Sequence, residues 1–208
     1  KCFLNKKLII VDASKNTRMI PGVFHDADEP AGTLDPHIWL DFDNAKIMVE
    51  NIEQAFINND PSGASFFNKK GTDYRAELES LDKQYRLSLT SCEKKEIVYG
   101  GHYAFGYLAN RYGLKYLATQ GVSPDSEPTA KDMVDLVNQV NKEKIEYIFY
   151  EELSSPKIAE TISRETKAKM LLLNAAHNLS KDNLESGISF FDILKSNLEN
   201  LKTGLICK

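Results

Sequence analysis

Apolar residues follow two different rhythms along this chain of 208 residues, and the change comes near Ser91. From Asp43 to Asn58 the spacing is helical, with Ala45, Ile47, Met48, Ile52, Ala55 and Phe56 on one face. The stretch "NNDPSG" ends that helix. A second helix is predicted from near Ser62 or Ser65 to about Leu89, marked by Phe66, Phe67, Tyr74, Leu78, Leu81, Tyr85 and Leu89. It lacks an internal proline, and Gly71 is its one weak point. At 1.5 Å per residue, about 25 residues would span roughly 37 Å. A helix of that length can link two lobes or lie along a single domain.

Beyond Ser91, short apolar runs alternate with amphipathic stretches. The order is "EIVYGG", a helix over 102–111, "LKYLAT", a helix over 128–142, "IEYIFY", a helix over 155–166, "AKMLLLN" and a helix over 187–202. This alternation predicts an α/β fold with a four-stranded parallel sheet flanked by helices. Right-handed crossovers bring the strand C-termini to one edge, outside which such sheets bind ligands. Upstream, "KLIIV" (Lys7 to Val11) reads as a strand. A turn and a short element ending at Pro21-Gly22 follow, then an exposed polar loop, "FHDADEPAGTLDP". His25 lies there among Asp26, Asp28 and Glu29. A solvated acidic loop is the first reading of that cluster and loose metal binding the second.

Composition narrows the function classes. Charged residues at 27% and hydrophobic ones at 42% fit a soluble globular protein. A net charge of −4 and the lack of a basic stripe interleaved with aromatics argue against nucleic acid as partner. No apolar run approaches the roughly 18 residues of a transmembrane segment. No signal peptide or lipidated-cysteine motif is visible, since "KCFL" lacks a preceding apolar region. Cys2, Cys92 and Cys207 are too few for a disulfide framework, so free thiols are the first reading. An oxidising compartment would allow a Cys92–Cys207 bridge.

Three of the four histidines stand at the starts of predicted elements: His37 in "LDPHIWLDF", His102 after "EIVYGG" and His177 in "LLLNAAHNLS". They are 65 and 75 residues apart, so only the fold could assemble them into one site. His102 and His177 both follow a strand, which places them on the same sheet edge. Imidazole suits borderline-soft divalent ions, and three of them favour zinc over calcium or magnesium. Pro36 restricts Asp35 to an extended conformation, so His37 sits in a fixed turn. Asp35 either orients the imidazole or caps a helix, and "DFDNA" supplies further caps. Gly100-Gly101 permit a sharp turn before His102, and the expected helix N-terminus there would keep its ring neutral. The pair does not form a phosphate-binding glycine motif.

The ordered pieces "DPHIWLD", "GGHYAFGYLANRYGL", "GVSPDSEPTAKDM" and "IEYIFYEELSSPKIAETISRETKAKMLLLN" resemble the zinc/manganese solute-binding proteins of bacterial ABC importers, the ZnuA-like and adhesin lipoprotein group. The resemblance runs from about Lys7 to Leu201. It implies two α/β lobes joined by a long helix, with the metal in the cleft between them. It maps His37 onto the ligand of the Asp-Pro-His motif and His102 onto the ligand opening the C-terminal lobe. His177 falls at the last ligand, which in this group is more often a carboxylate. The glutamate matching Glu151 does not touch the ion, which implies a supporting role for Glu151; Glu152 reads as a solvated loop carboxylate. The group also has an upstream lobe segment with a first histidine ligand. The chain is therefore expected to begin near the end of its N-terminal lobe and to carry at most three of four ligands.

The expected division is 1–60 as the remnant of the N-terminal lobe, 61–91 as the linking helix and 92–208 as the C-terminal α/β lobe. The expected function is extracytoplasmic binding of Zn²⁺, with Mn²⁺ as the alternative, and delivery to an ABC permease without catalysis. Two other classes compete. A three-histidine zinc site with Glu151 as general base would make a metallohydrolase, although no H-E-x-x-H motif is present. A metal-free interaction module is the third.

Overall fold

Among residues 8–22, 32–119, 129–151 and 156–208, which the computed structural model describes, the first helix starts where a cap is supplied. Asp41 accepts hydrogen bonds from the backbone N–H groups of Asp43 and Asn44 and opens α1 (Phe42–Asn59). After a 3₁₀ turn at Pro61–Gly63, α2 (Ala64–Thr90) runs for 27 residues, about 40 Å. Gly71 proves to be a contact point. A Cβ there would collide with the carboxylate of Glu53 on α1, itself paired with Arg75. The C-terminal half of α2 buries Leu78, Leu81, Tyr85 and Leu89, and the Tyr85 hydroxyl donates to the Leu194 carbonyl at 2.6 Å.

The alternation beyond residue 91 folds as expected. Strands β1 (Glu96–Tyr99), β2 (Lys115–Ala118), β3 (Tyr147–Tyr150) and β4 (Lys169–Leu172) form one parallel sheet in the order β2-β1-β3-β4. Helices α3 (Gly106–Tyr112), α4 (Ala130–Lys142) and α5 (Lys157–Thr166) make the crossovers, and α6 (Lys181–Glu185) and α7 (Phe190–Gly204) follow β4. Alternate strand residues face opposite ways. Ile97, Tyr99 and Phe149 pack with residues of α1, α2, α3 and α7, whereas Val98 and Ile148 pack with α4 and α5. The chain leaves β1 for β2 on one side and returns to β3 on the other. The C-terminal ends of β1 and β3 therefore flank a topological switch point, where open α/β sheets bind ligands.

Several expectations are corrected. Leu8 to Val11 form no strand; all four are exposed, and no neighbouring strand among the described residues completes a ladder for them. Helix α3 begins at Gly106, so His102 lies in a loop ahead of it and gains nothing from the helix dipole. That loop is held by Thr119 Oγ1, which donates to the Gly101 carbonyl at 3.2 Å, and by the Tyr116 hydroxyl, 3.3 Å from the His102 carbonyl. Cys92 and Cys207 are joined in a disulfide, not free, because the segment after α7 pairs with the segment before β1, with Lys94 N–H bonded to the Leu205 carbonyl. The short helix α6 was not anticipated. His25 with its acidic neighbours, Glu152 and Cys2 lie outside the described residues.

Arg111 at the end of α3 joins three elements. It binds Asp82 of α2 in bidentate fashion at 2.8 and 2.7 Å and reaches Asp43 and the cap Asp41 at 2.8 and 3.2 Å. Hydrogen bonds from Arg111 and Lys46 hold the Asp43 carboxyl at about 2. Burial would raise that of Asp82, but bonds from Arg111 and Tyr112 outweigh it and lower it. A carboxyl whose pKa falls on folding adds stability above the ordinary range near 4 and loses it as pH falls toward 2. Arg111→Met removes the bidentate partner of buried Asp82, leaving Tyr112 and the more distant Arg86, and is expected to lower unfolding free energy in urea titrations by about 3 kcal/mol at pH 7. The deficit should shrink between pH 4 and pH 2; a deficit independent of pH would refute the assignment.

Candidate metal centre

Four of the five residues singled out for the site come from three strand ends and one turn, and the fifth supports the turn. His102 follows β1, Glu151 follows β3 and His177 follows β4, all on the C-terminal edge of the sheet. His37 approaches from the other side, at the start of a 3₁₀ turn (Ile38–Leu40) just before α1. Asp35 precedes it, fully buried. The Asp35 carbonyl accepts from the Tyr107 hydroxyl of α3 at 2.9 Å, which ties this turn to the sheet-bearing half.

The ring nitrogens have defined partners. Asp35 Oδ1 accepts the backbone N–H of His37 at 2.9 Å and lies 2.7 Å from His37 Nδ1. Since that oxygen already acts as an acceptor, Nδ1 is the donor. Glu151 Oε2 lies 2.9 Å from His102 Nδ1, and Oε1 is 3.4 Å from His177 Nε2. Burial would raise the Glu151 carboxyl, but bonds from His102 and His177 more than offset it and hold it at about 2. Glu151 is thus ionised at neutral pH, and His102 Nδ1 donates to it.

In the neutral form, each imidazole carries its proton on the carboxylate side. Their Nε2 atoms lie 3.2 Å apart, in rings that are 5% and 1% exposed, and in that form lone pair faces lone pair. Two acceptors at that distance repel, and a cation between them removes the repulsion. A tetrahedral zinc ion with Zn–N bonds of about 2.05 Å separates its ligand nitrogens by roughly 3.3 Å. The His177 ring centroid is 5.2 Å from that of His102 and 6.2 Å from that of His37. Ligand atoms of His102, Glu151 and His177 lie within 4.8 Å of one another, so Glu151 could also offer an oxygen directly. Asp35 Oδ2 is buried and has no hydrogen-bond partner among the described residues. The ion-pairing partners of Asp35 and Glu151 among those residues are these imidazoles. The charge in this pocket is therefore matched to an added cation.

Sequence reasoning passed over the residues that hold the His177 loop. Asn197 of α7 accepts the Asn174 N–H at 2.9 Å and donates to the Asn174 carbonyl at 2.7 Å. Trp39 Nε1–H donates to the Ala175 carbonyl at 2.8 Å. A signal for Asn197 was present: it is a polar residue among Leu194, Leu198 and Leu201 on the buried stripe of α7. Trp39 carried the plainer signal of being the only tryptophan, two residues after His37.

Comparison with known proteins identifies the family. A family model described as zinc-uptake complex component A, periplasmic, matches residues 3–204. The high-affinity zinc uptake system protein ZnuA of Bacillus subtilis (strain 168) is 36% identical over 207 residues, covering 96% of this chain and 65% of that protein. The chain thus spans slightly under two thirds of that relative. Among solved structures, the Zn(II)-bound ZnuA-like domain of Streptococcus pneumoniae AdcA superposes with a TM-score of 0.75 at 34% identity, covering 94% of this chain and 69% of that one. A mutant form of an Mn-bound periplasmic metal binding protein from candidatus liberibacter asiaticus gives a TM-score of 0.80 at 25% identity, covering 97% and 73%.

The proton arrangement can be read directly. In metal-free protein at pH 8, long-range ¹H–¹⁵N spectra are expected to show His37 and His102 as Nδ1–H tautomers. An Nε2–H tautomer on either ring would remove the facing lone pairs.

Proposed function

The chain belongs to the family of periplasmic zinc-uptake component A, and on that premise we propose that it captures Zn²⁺ outside the cytoplasmic membrane and passes it to an ABC permease. His37 and His102 hold the ion through Nε2, and His177 is the third nitrogen donor. Asp35 and Glu151 hold the outer nitrogens, which fixes each ring and raises its basicity. The observation that carries this reading is the pair of facing Nε2 atoms at 3.2 Å, each in a ring anchored by a buried carboxylate. The division of labour follows the proposed segments: 1–60 brings His37, 61–91 is the linking helix, and 92–208 brings His102, Glu151 and His177.

Three imidazoles favour zinc, since manganese prefers more oxygen donors. Manganese is the second reading, motivated by Glu151, whose oxygens approach both His102 and His177. The metallohydrolase reading is set aside, because the family is one of metal-uptake components.

Isothermal titration of the purified protein is expected to give one Zn²⁺ per chain, with Mn²⁺ bound at least about tenfold more weakly. His102→Ala should weaken zinc by at least about tenfold, because it removes a ligand from the most buried position. Affinity should fall as pH drops, because protons compete with the ion for the imidazole nitrogens. Zinc affinity unaffected by His102→Ala, or tighter binding of Mn²⁺ than of Zn²⁺, would overturn the reading.

A further inference from the structure

We infer that Trp39 is a positioning residue that sets where His177 stands relative to His37, and so controls how tightly the ion is held. The inference rests on the reading that both histidines bind the ion. Trp39 belongs to the same 3₁₀ turn as His37, and its indole meets the His37 ring edge-on with centroids 5.4 Å apart. Its Nε1–H donates to the Ala175 carbonyl at 2.8 Å, two residues before His177. That hydrogen bond runs directly from the turn carrying one proposed ligand to the loop carrying another.

The local backbone makes this bond consequential. Ala175 is buried, and Ala176 takes a left-handed conformation with φ of 58°, unusual for a residue with a side chain. Such a turn persists only where its surroundings hold it. Asn197 grips the loop at Asn174, and Asn174 Oδ1 accepts the Ala176 N–H at 2.7 Å. Those bonds tie the loop to α7 and to itself, with no reference to His37. The bond from Trp39 supplies that reference. Trp39 packs against the core on one side only, because it and Ala176 both line an apolar cavity of about 620 Å³ between α1 and α2. A side chain beside open space needs a directional bond to stay in one place.

Trp39 is the only tryptophan. Feeding β-(3-benzothienyl)alanine in its place therefore replaces that side chain alone, exchanging N–H for sulfur while keeping the bicyclic shape. Trp39→Phe is the genetic counterpart. Zinc affinity would be measured by competition with a chromophoric chelator, in the wild-type background and in His177→Ala, with thermal unfolding alongside. The expected result is about a tenfold loss in the wild-type background and less than about twofold in His177→Ala. Unfolding midpoints of the analogue-substituted and unsubstituted proteins should agree. Equal losses in both backgrounds would mean that Trp39 supports the fold in general, and would overturn the proposal. No loss in the wild-type background would overturn it too. If His177→Ala by itself leaves zinc affinity unchanged, the underlying assignment of His177 fails and the proposal falls with it.

Discussion

Two buried carboxylates aim two imidazoles at each other, and much of the local structure serves that arrangement. Asp35 and Glu151 each bind the Nδ1 side of one ring, so that in the neutral imidazoles the Nε2 lone pairs face across 3.2 Å. A neutral core would avoid this arrangement, since buried facing lone pairs and a carboxylate oxygen with no hydrogen-bond partner among the described residues both cost free energy. On the proposed reading the cost is tolerable because the arrangement is complementary to a small cation. A site organised before the ion arrives loses little further entropy on binding, which is the physical route to high affinity for one ion.

The sheet topology explains why the groups meet there. Strands β1 and β3 diverge in their connections at the switch point, opening a crevice that His102 and Glu151 enter from adjacent strand ends. Strand β4 adds His177 from one position further along the sheet. His37 comes from outside the sheet, and its turn is anchored by contacts that do not involve the histidine rings. The Tyr107 hydroxyl holds the Asp35 carbonyl, and Arg111 holds the cap of α1 against α2. The distance between the two halves of the site is thus set by α3, whose residues serve both anchors.

Much of this was legible in the chain, for a definite reason. Alternating apolar runs announce a parallel sheet, and topology alone then sends residues after strands to one edge. His102 and His177 could be placed there without coordinates. His37 could be placed only through the resemblance of its Asp-Pro-His context. What the pattern did not disclose is how side chains use their second polar atom. Asn197 reads as an interruption of an apolar stripe until its amide is seen bridging the His177 loop. Glu151 could be given a supporting role only through the resemblance, and the pattern did not disclose that its two oxygens approach different rings. The run at Leu8 to Val11 misled for the opposite reason: apolar character makes a strand only where a neighbour supplies the ladder. Position 102 misled by four residues, because bonds from Thr119 and Tyr116 hold the loop open before α3 can start.

The choice of histidine at position 177 follows from charge as much as from donor softness. On the proposed reading, Asp35 and Glu151 bring two negative charges close to the ion, and a divalent cation balances them. A carboxylate at position 177 would leave the filled site with an excess negative charge in a pocket where the carboxylates are at most 8% exposed. A neutral imidazole adds a third donor and keeps the balance. Uncompensated charge is costly in such surroundings, so the filled site is most stable when ligand and supporting charges sum to that of the ion. Where the last ligand is instead a carboxylate, one of the supporting groups must be neutral or more open to water for the same balance to hold. His177, with about a quarter of its side chain exposed, is the donor nearest to solvent and the one whose nitrogen already contacts Glu151. Exchange of the ion with solvent or with a partner is then easiest on that side, while His37 and His102 stay fixed by their carboxylates.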